Sequence, residues 1–194
     1  MTLARTWSVG LAGVHGAMVE VEVDIAAGMP GVALVGLPDA VVRQSVDRVK
    51  AAVVNAGGEF PLRRITIGLS PAAMPKQGSG FDLALAAAVL AASGAVPERS
   101  PEELVLLGEL GLDGSVRAIR GVLPAVLAAA RAGHAEVVVP AANADEAALV
   151  EDAEDAQQEV DQHDADEGEQ RDRDDLAELV RDLDVEELVG TQGR

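Results

Sequence analysis

The stretch that decides the fold runs from Leu69 to Gly94: LSPAAMPKQGSGFDLALAAAVLAASG. An apolar strand ends at Leu69, a turn holding a lysine, two glycines and a serine follows, and at Gly80-Phe81 the chain enters an alanine-rich apolar run. Phosphate loops, nucleophile turns and plain helix openings are all built in this way. The polar-to-apolar switch predicts a turn over Gly78 to Asp82 and a helix from about Phe81 to Ser93. Phe81, Leu83 and Leu85 are expected in a core shared with hairpin strands further along.

Upstream, Met18 to Ile25 (MVEVEVDI) alternates strictly, with Val19, Val21, Val23 and Ile25 on one face and Glu20, Glu22 and Asp24 on the other, the pattern of a half-buried strand. GMPG at 28–31 turns the chain into a second apolar run, VALVGL. Pro38-Asp39 then opens a helix with Asp39 as N-cap, carrying a stripe of Val42, Val46, Val49 and Val53 and closed by Gly57-Gly58. A strand is expected at Arg64 to Leu69. Downstream, Asp113-Gly114 lies between two apolar runs within Leu104 to Ile119, a hairpin signal. A helix from about Val122 to Ala132, the strand EVVVP at Glu136 to Pro140 and a short helix near Asn143 to Val150 complete the order. Hairpin and crossover units in one chain predict an α+β fold with a mixed sheet and packed helices.

The 194 residues are 48% hydrophobic but only 2% aromatic, so the core is built from Val, Leu, Ile and Ala, and base-stacking platforms are excluded. With no cysteine there is no disulfide framework, thiolate metal site or cysteine nucleophile. No apolar run reaches the ~18 residues that span a bilayer, and the N-terminus does not read as a signal peptide. A cytoplasmic setting without a membrane partner is the expectation. The net charge of −18 is uneven: residues 1–150 carry −4 and residues 151–194 carry −14. Residues 151–175 lack a periodic apolar face and read as an acidic disordered linker, a solvating tether or, alternatively, a DNA-mimicking or regulatory tail. Residues 176–194 regain an amphipathic pattern at Leu176, Leu179, Val180, Leu183 and Leu188 and read as a short helix and tail.

The turn fails as a Walker A loop. That motif places Lys and Ser/Thr directly after the second glycine, whereas in PKQGSG the lysine precedes both glycines. An anion at the amides opening the helix would also meet Asp82. Neither ATP nor magnesium is therefore expected to be held by this turn, and no cofactor is expected in this chain. The other option is a Ser-Lys dyad with Ser79 as nucleophile; the two lysines, Lys50 and Lys76, are the whole supply of amine bases.

Pro75-Lys76-Gln77-Gly78-Ser79-Gly80 entering a helix, Gly108-Glu109-Leu110 with a hairpin, and Arg120-Gly121-Val122-Leu123 running into AAARAG and VVVP resemble the proteolytic domain of Lon-type proteases. In that family the turn reads Pro-Lys-Asp-Gly-Pro-Ser-Ala-Gly. Alignment on Pro75, Lys76 and Gly78 puts the nucleophile on Gly80 rather than Ser79, and alignment on Gly121 puts the lysine region on Leu123, Pro124 and Ala125. The resemblance implies a Lon-like fold with no catalytic residue at either position.

Three longer segments, VEVEVDIAAGMPGVALVGLPDAVVRQSVDRVKAAVVNAGGEFP, ITIGLSPAAMPKQGSGFDLALAAAVL and GELGLDGSVRAIRGVLPAV, resemble the N-terminal domain of the magnesium-chelatase-like AAA+ ATPases of the YifB or ComM family over residues 1–150. The resemblance implies a ribosomal protein S5 domain 2-like, Lon-like domain without protease residues. It also implies an ATPase module lying outside this sequence, with ATP and Mg2+ as that module's cofactors, homo-oligomeric rings of AAA+ subunits, and DNA engaged through the assembly. Two functions stay open: a non-catalytic assembly or regulatory domain, and a Ser-dependent protease or peptidase related to Lon.

Other polar features have plainer readings. Glu20, Glu22 and Asp24 read as a solvated strand face, since i, i+2 positions lie about 6.6 Å apart. His15, His134 and His163 sit in different elements, and no metal site is expected. Arg63, Arg64, Arg117 and Arg120 are candidates for phosphate contact with nucleic acid, with solvation or an inter-subunit ion pair as the alternative.

Overall fold

The computed structural model describes residues 2–96 and 104–150. The elements are β1 (Thr2–Ala12), β2 (His15–Ala26), β3 (Gly31–Val35), α1 (Ala40–Asn55), β4 (Arg64–Ser70), α2 (Asp82–Ser93), β5 (Val105–Leu106), β6 (Glu109–Leu110), β7 (Val116–Arg117), α3 (Val122–Arg131) and β8 (Val137–Val138). A 3-10 turn at Ala141–Asn143 leads into helical residues 144–150. Six strands form one mixed sheet in the order β3-β4-β2-β1-β5-β8, and β6 and β7 form a separate hairpin. β2 runs antiparallel to β1 and β4, while β3–β4, β1–β5 and β5–β8 are parallel. This is the expected α+β class, consistent with an S5-like, Lon-like domain.

The alternation of β2 fixes which side is the core. Val19, Val21, Val23 and Ile25 are buried together with Ile65, Ile67 and Leu69 of β4, and α1 and α2 close this side through Val42, Val49, Val53, Leu85 and Val89. Val46 of the expected stripe is half-buried. Phe81 and Leu85 are buried and Leu83 packs on the same cluster, as do Leu110 and Val116 of the hairpin. Each such large side chain fully removed from water contributes about 1.5–3 kcal/mol. On the opposite side α3 covers one end of the sheet, packing Val122, Ala125 and Ala129 against Val9 and Val105. Close approach is possible there because Gly16 has no side chain: a Cβ would stand 2.6 Å from Ala128 Cβ.

Two features differ from the sequence reading. β1 turns Ala4, Thr6, Ser8 and Gly10 toward the α1 and α2 side, while its alternating apolar residues Trp7, Val9 and Leu11 face α3. Its small residues admit α2 at close range, and its hydroxyls are satisfied internally: Thr6 Oγ1 donates to Ala84 O at 3.1 Å and Ser8 Oγ to Leu106 O at 3.0 Å. The apolar run from Leu104 also divides: Val105 and Leu106 join the large sheet between β1 and β8, and only Glu109 and Leu110 pair in the hairpin. The acidic segment 151–175 and the helix expected from Leu176 lie outside the described residues. Among the described residues no helix is long and apolar enough to cross a membrane.

Candidate functional site

The turn between β4 and α2 is held by main chain on one side. Lys76 N donates to Leu37 O at 3.2 Å, and Lys76 O accepts from Asp39 N at 2.9 Å, so the turn runs beside the connection from β3 to α1. That connection bends at Gly36, whose φ of 105° and position against β4 leave no room for a side chain; a Cβ would lie 2.0 Å from Leu69 O. Asp39 then caps α1, its Oδ1 accepting from Val42 N at 2.7 Å, while its Oδ2 accepts from Gly78 N at 3.4 Å. The far side of the turn is tied to the segment leading into the hairpin, with Gly108 N donating to Gly80 O at 3.0 Å and Leu83 N donating to Gly108 O at 3.1 Å.

The side chains are committed inward. Lys76 is fully buried, and its ammonium donates to Pro71 O. Burial lowers the Lys76 pKa from the ordinary 10.5. Ser79 Oγ donates to the Glu109 carboxylate. Asp82, also fully buried, takes a two-pronged ion pair from Arg48 of α1, with Nε to Oδ2 at 2.7 Å and Nη2 to Oδ1 at 2.9 Å, and accepts Leu110 N at 3.2 Å. The hydrogen bond to Asp82 is the main cause of a raised Arg48 pKa. Pro75 is exposed at the outer end of the turn.

This arrangement does not fit a nucleotide phosphate. The amide of Gly78 and the hydroxyl of Ser79 point to carboxylates, the lysine is buried under a carbonyl, and Asp39, Asp82 and Glu109 surround the turn. An incoming anion would meet negative charge where a phosphate loop presents free donors.

The side-chain position of Gly80 faces Ile119. A Cβ built there would have Ile119 Cδ1 at 3.4 Å as its neighbour, so the position is empty rather than blocked. Leu123, Pro124 and Ala125 lie in the first turn of α3, with Ala125 buried in the second core. The N-terminus of α3 is satisfied from a distance: Leu123 N donates to Glu146 Oε1 at 3.1 Å, and Asn143 brackets Ile119 by accepting from its N and donating to its O, both at 3.0 Å.

The four arginines are exposed but dispersed. Arg64 shares the β4 face with Thr66, turned away from α1 and α2, with Arg63 just before it; Arg117 is on the hairpin beside those helices, and Arg120 lies between β7 and α3. On the outer sheet face Arg5 Nε lies 3.0 Å from Glu22 Oε1 and 3.6 Å from Glu20 Oε1, so two of the three acidic residues share an internal cation. His134 packs its ring against Trp7 at 5.2 Å. Among the described residues no cluster of ligating side chains could hold a metal ion. Arg48, Asn143 and Glu146 escaped the sequence reading; a helix-face arginine with an acid opening a later helix is the signal for the first, and nothing local marks the other two.

Comparison with known proteins adds to this geometry. The family model described as subunit ChlI of Mg-chelatase matches residues 21–143. The chain belongs to this Mg-chelatase-like family. An uncharacterized protein of Mycobacterium tuberculosis is 57% identical over 140 residues, which cover 72% of this chain and 28% of that protein. Competence protein ComM of Haemophilus influenzae is 41% identical over 132 residues, 68% of this chain and 26% of that protein. Lon protease of Trichlorobacter lovleyi is 31% identical over 134 residues, 66% of this chain and 16% of that protein. The chain thus spans little more than a quarter of the length of its Mg-chelatase-like relatives. Its similarity to ComM and, more weakly, to Lon agrees with the resemblance carried by PKQGSG and GELGLDG.

Proposed function

We propose that residues 1–150 are a non-catalytic, Lon-like assembly or regulatory domain of a magnesium-chelatase-like AAA+ ATPase. In this reading the complete family protein is an ATP-driven ring that acts on DNA, in competence or recombination, and ATP and Mg2+ belong to its ATPase module. The observation that carries the proposal is the setting of the turn. Gly80 stands at the nucleophile position facing Ile119, apolar residues fill the lysine region, and the lysine nearest in sequence is buried beneath Pro71.

The experiment compares the ATPase portion of the family protein with and without residues 1–150, reading ring formation by native mass spectrometry and ATP turnover by phosphate release. A change in assembly or turnover supports the reading; identical behaviour contradicts it. The chain alone is expected to give no saturable heat when titrated with ATP and magnesium.

The hydrogen bond from Ser79 to Glu109 favours a second reading, a Ser-dependent peptidase. A carboxylate is a weak base toward a serine hydroxyl, and serine dyads are ordinarily activated by an amine or imidazole, so this pair is the poorer candidate.

A further inference from the structure

β3 is an edge strand whose own five residues carry none of the charges that usually protect an edge. Natural edges are blunted by lysines, prolines, bulges or shortness, but Gly31–Val35 reads GVALV, five residues without charge or proline. Gly31 N donates to Arg63 O at 3.2 Å, which turns the main-chain groups of Gly31, Ala33 and Val35 toward β4. Those of Val32 and Leu34 therefore face outward, and among the described residues no strand pairs with them. Val32 and Leu34, although on the core side, are only half-buried, and Ala33 and Val35 are exposed.

We propose that β3 pairs with β3 of a second copy of this chain, antiparallel about a two-fold axis at Ala33, joining the two sheets into one. Self-pairing is favoured by the strand's own features. The opposite edge, β8, is only two residues long and runs into Pro140, so a β3–β8 contact offers little ladder. β3 matches itself in length and has no charge to repel its copy. With Ala33 opposite Ala33 of the second copy, Val32 and Leu34 exchange both N–H···O=C bonds across the axis. The small alanine suits the close, non-hydrogen-bonded position. Pro30, lacking an N–H, ends the ladder at one side and the bend at Gly36 ends it at the other. This inference does not rest on the functional reading above.

The absence of cysteine supplies the test. In the 194-residue chain Ala33→Cys would place two thiols on the axis with Cα atoms about 4.5 Å apart, within disulfide range, whereas Val35→Cys would place them roughly 13 Å apart. Under copper–phenanthroline oxidation the first variant is expected to give a covalent dimer and the second to remain monomeric. Sedimentation of the unmodified chain should show a concentration-dependent dimer. Its dissociation constant should rise about fivefold on Ala33→Glu, from like charges placed opposite, and the dimer should be lost on Leu34→Pro, which removes an outward N–H unused in the monomer. Circular dichroism of Ala33→Glu, at an exposed position, should match the parent. A chain that stays monomeric throughout, equal crosslinking of the two cysteine variants, or a dimer unaffected by either substitution in β3 overturns the proposal.

Discussion

Arg48 of α1 and Asp82 at the first turn of α2 form an ion pair with both prongs in place, at 2.7 and 2.9 Å, and the carboxylate is fully buried. The pair fixes the two helices against each other at the point where the PKQGSG turn enters α2. Asp82 also accepts Leu110 N at 3.2 Å, so one side chain joins α1, α2 and the hairpin.

Removing one partner of such a pair leaves an uncompensated buried charge or orphaned donors. Asp82→Ala is expected to lower unfolding stability by about 3–5 kcal/mol, measured by urea denaturation. A double-mutant cycle with Arg48→Ala should show a coupling energy well above the ~1 kcal/mol of exposed pairs.

Gly36 is expected to resist any side chain. Gly36→Ala would put a Cβ 2.0 Å from Leu69 O at a φ of 105°, and the loss should be about 3 kcal/mol or more, checked by thermal and urea unfolding. Gly80→Ala is the control. Its Cβ would meet only Ile119 Cδ1 at 3.4 Å, and the change should stay within about 1 kcal/mol.

Most of the fold was legible because it follows from period and punctuation. The alternation of Val19 to Ile25, the N-cap at Asp39 and the switch at Gly80-Phe81 each have a local cause, and each element formed where that cause lies. β1 was missed: its alternation of Trp7, Val9 and Leu11 is short, and its opposite face, Ala4, Thr6, Ser8 and Gly10, is buried against the small residues of α2 rather than through its own hydropathy. At the site, Lys76, Gly78, Ser79 and Asp82 were visible as a motif, but their partners were not. Arg48, Glu109 and Asp39 reach them from 30 to 39 residues away along the chain, and Lys76 finds Pro71 only through the folding of the turn. The arginines show the converse: closeness in sequence type did not translate into one surface, since Arg64 and Arg117 stand on different sides of the sheet.

Lys76 links the turn to alkaline pH. Its folded pKa lies below the 10.5 of the unfolded chain because burial disfavours the ammonium. Between those two values the unfolded state binds more protons, so this residue's contribution to stability rises as pH rises through that window and levels off above 10.5. Relative to Lys76→Met, whose stability lacks this term, the parent chain should gain stability across the window; equal pH slopes in urea denaturation would count against it.

At the hairpin tip, Asp113 Oδ1 accepts Ser115 Oγ at 2.6 Å and Ser115 N at 3.1 Å. These bonds lower the Asp113 pKa from 3.8, the hydroxyl contributing most. Carboxyl NMR titration should place it below 3.8, and Ser115→Ala should move it back up. The associated stabilisation is present above 3.8 and lost as pH falls through the lowered value.

The Lon-like turn is expected to hold no working nucleophile. The most direct test is to treat the purified 194-residue chain with a fluorophosphonate and weigh the intact protein, with Ser79→Ala as the parallel sample. The unmodified mass is expected for both; an adduct on the parent chain that maps to Ser79 and disappears in the variant would contradict that expectation and establish a serine-dependent enzyme.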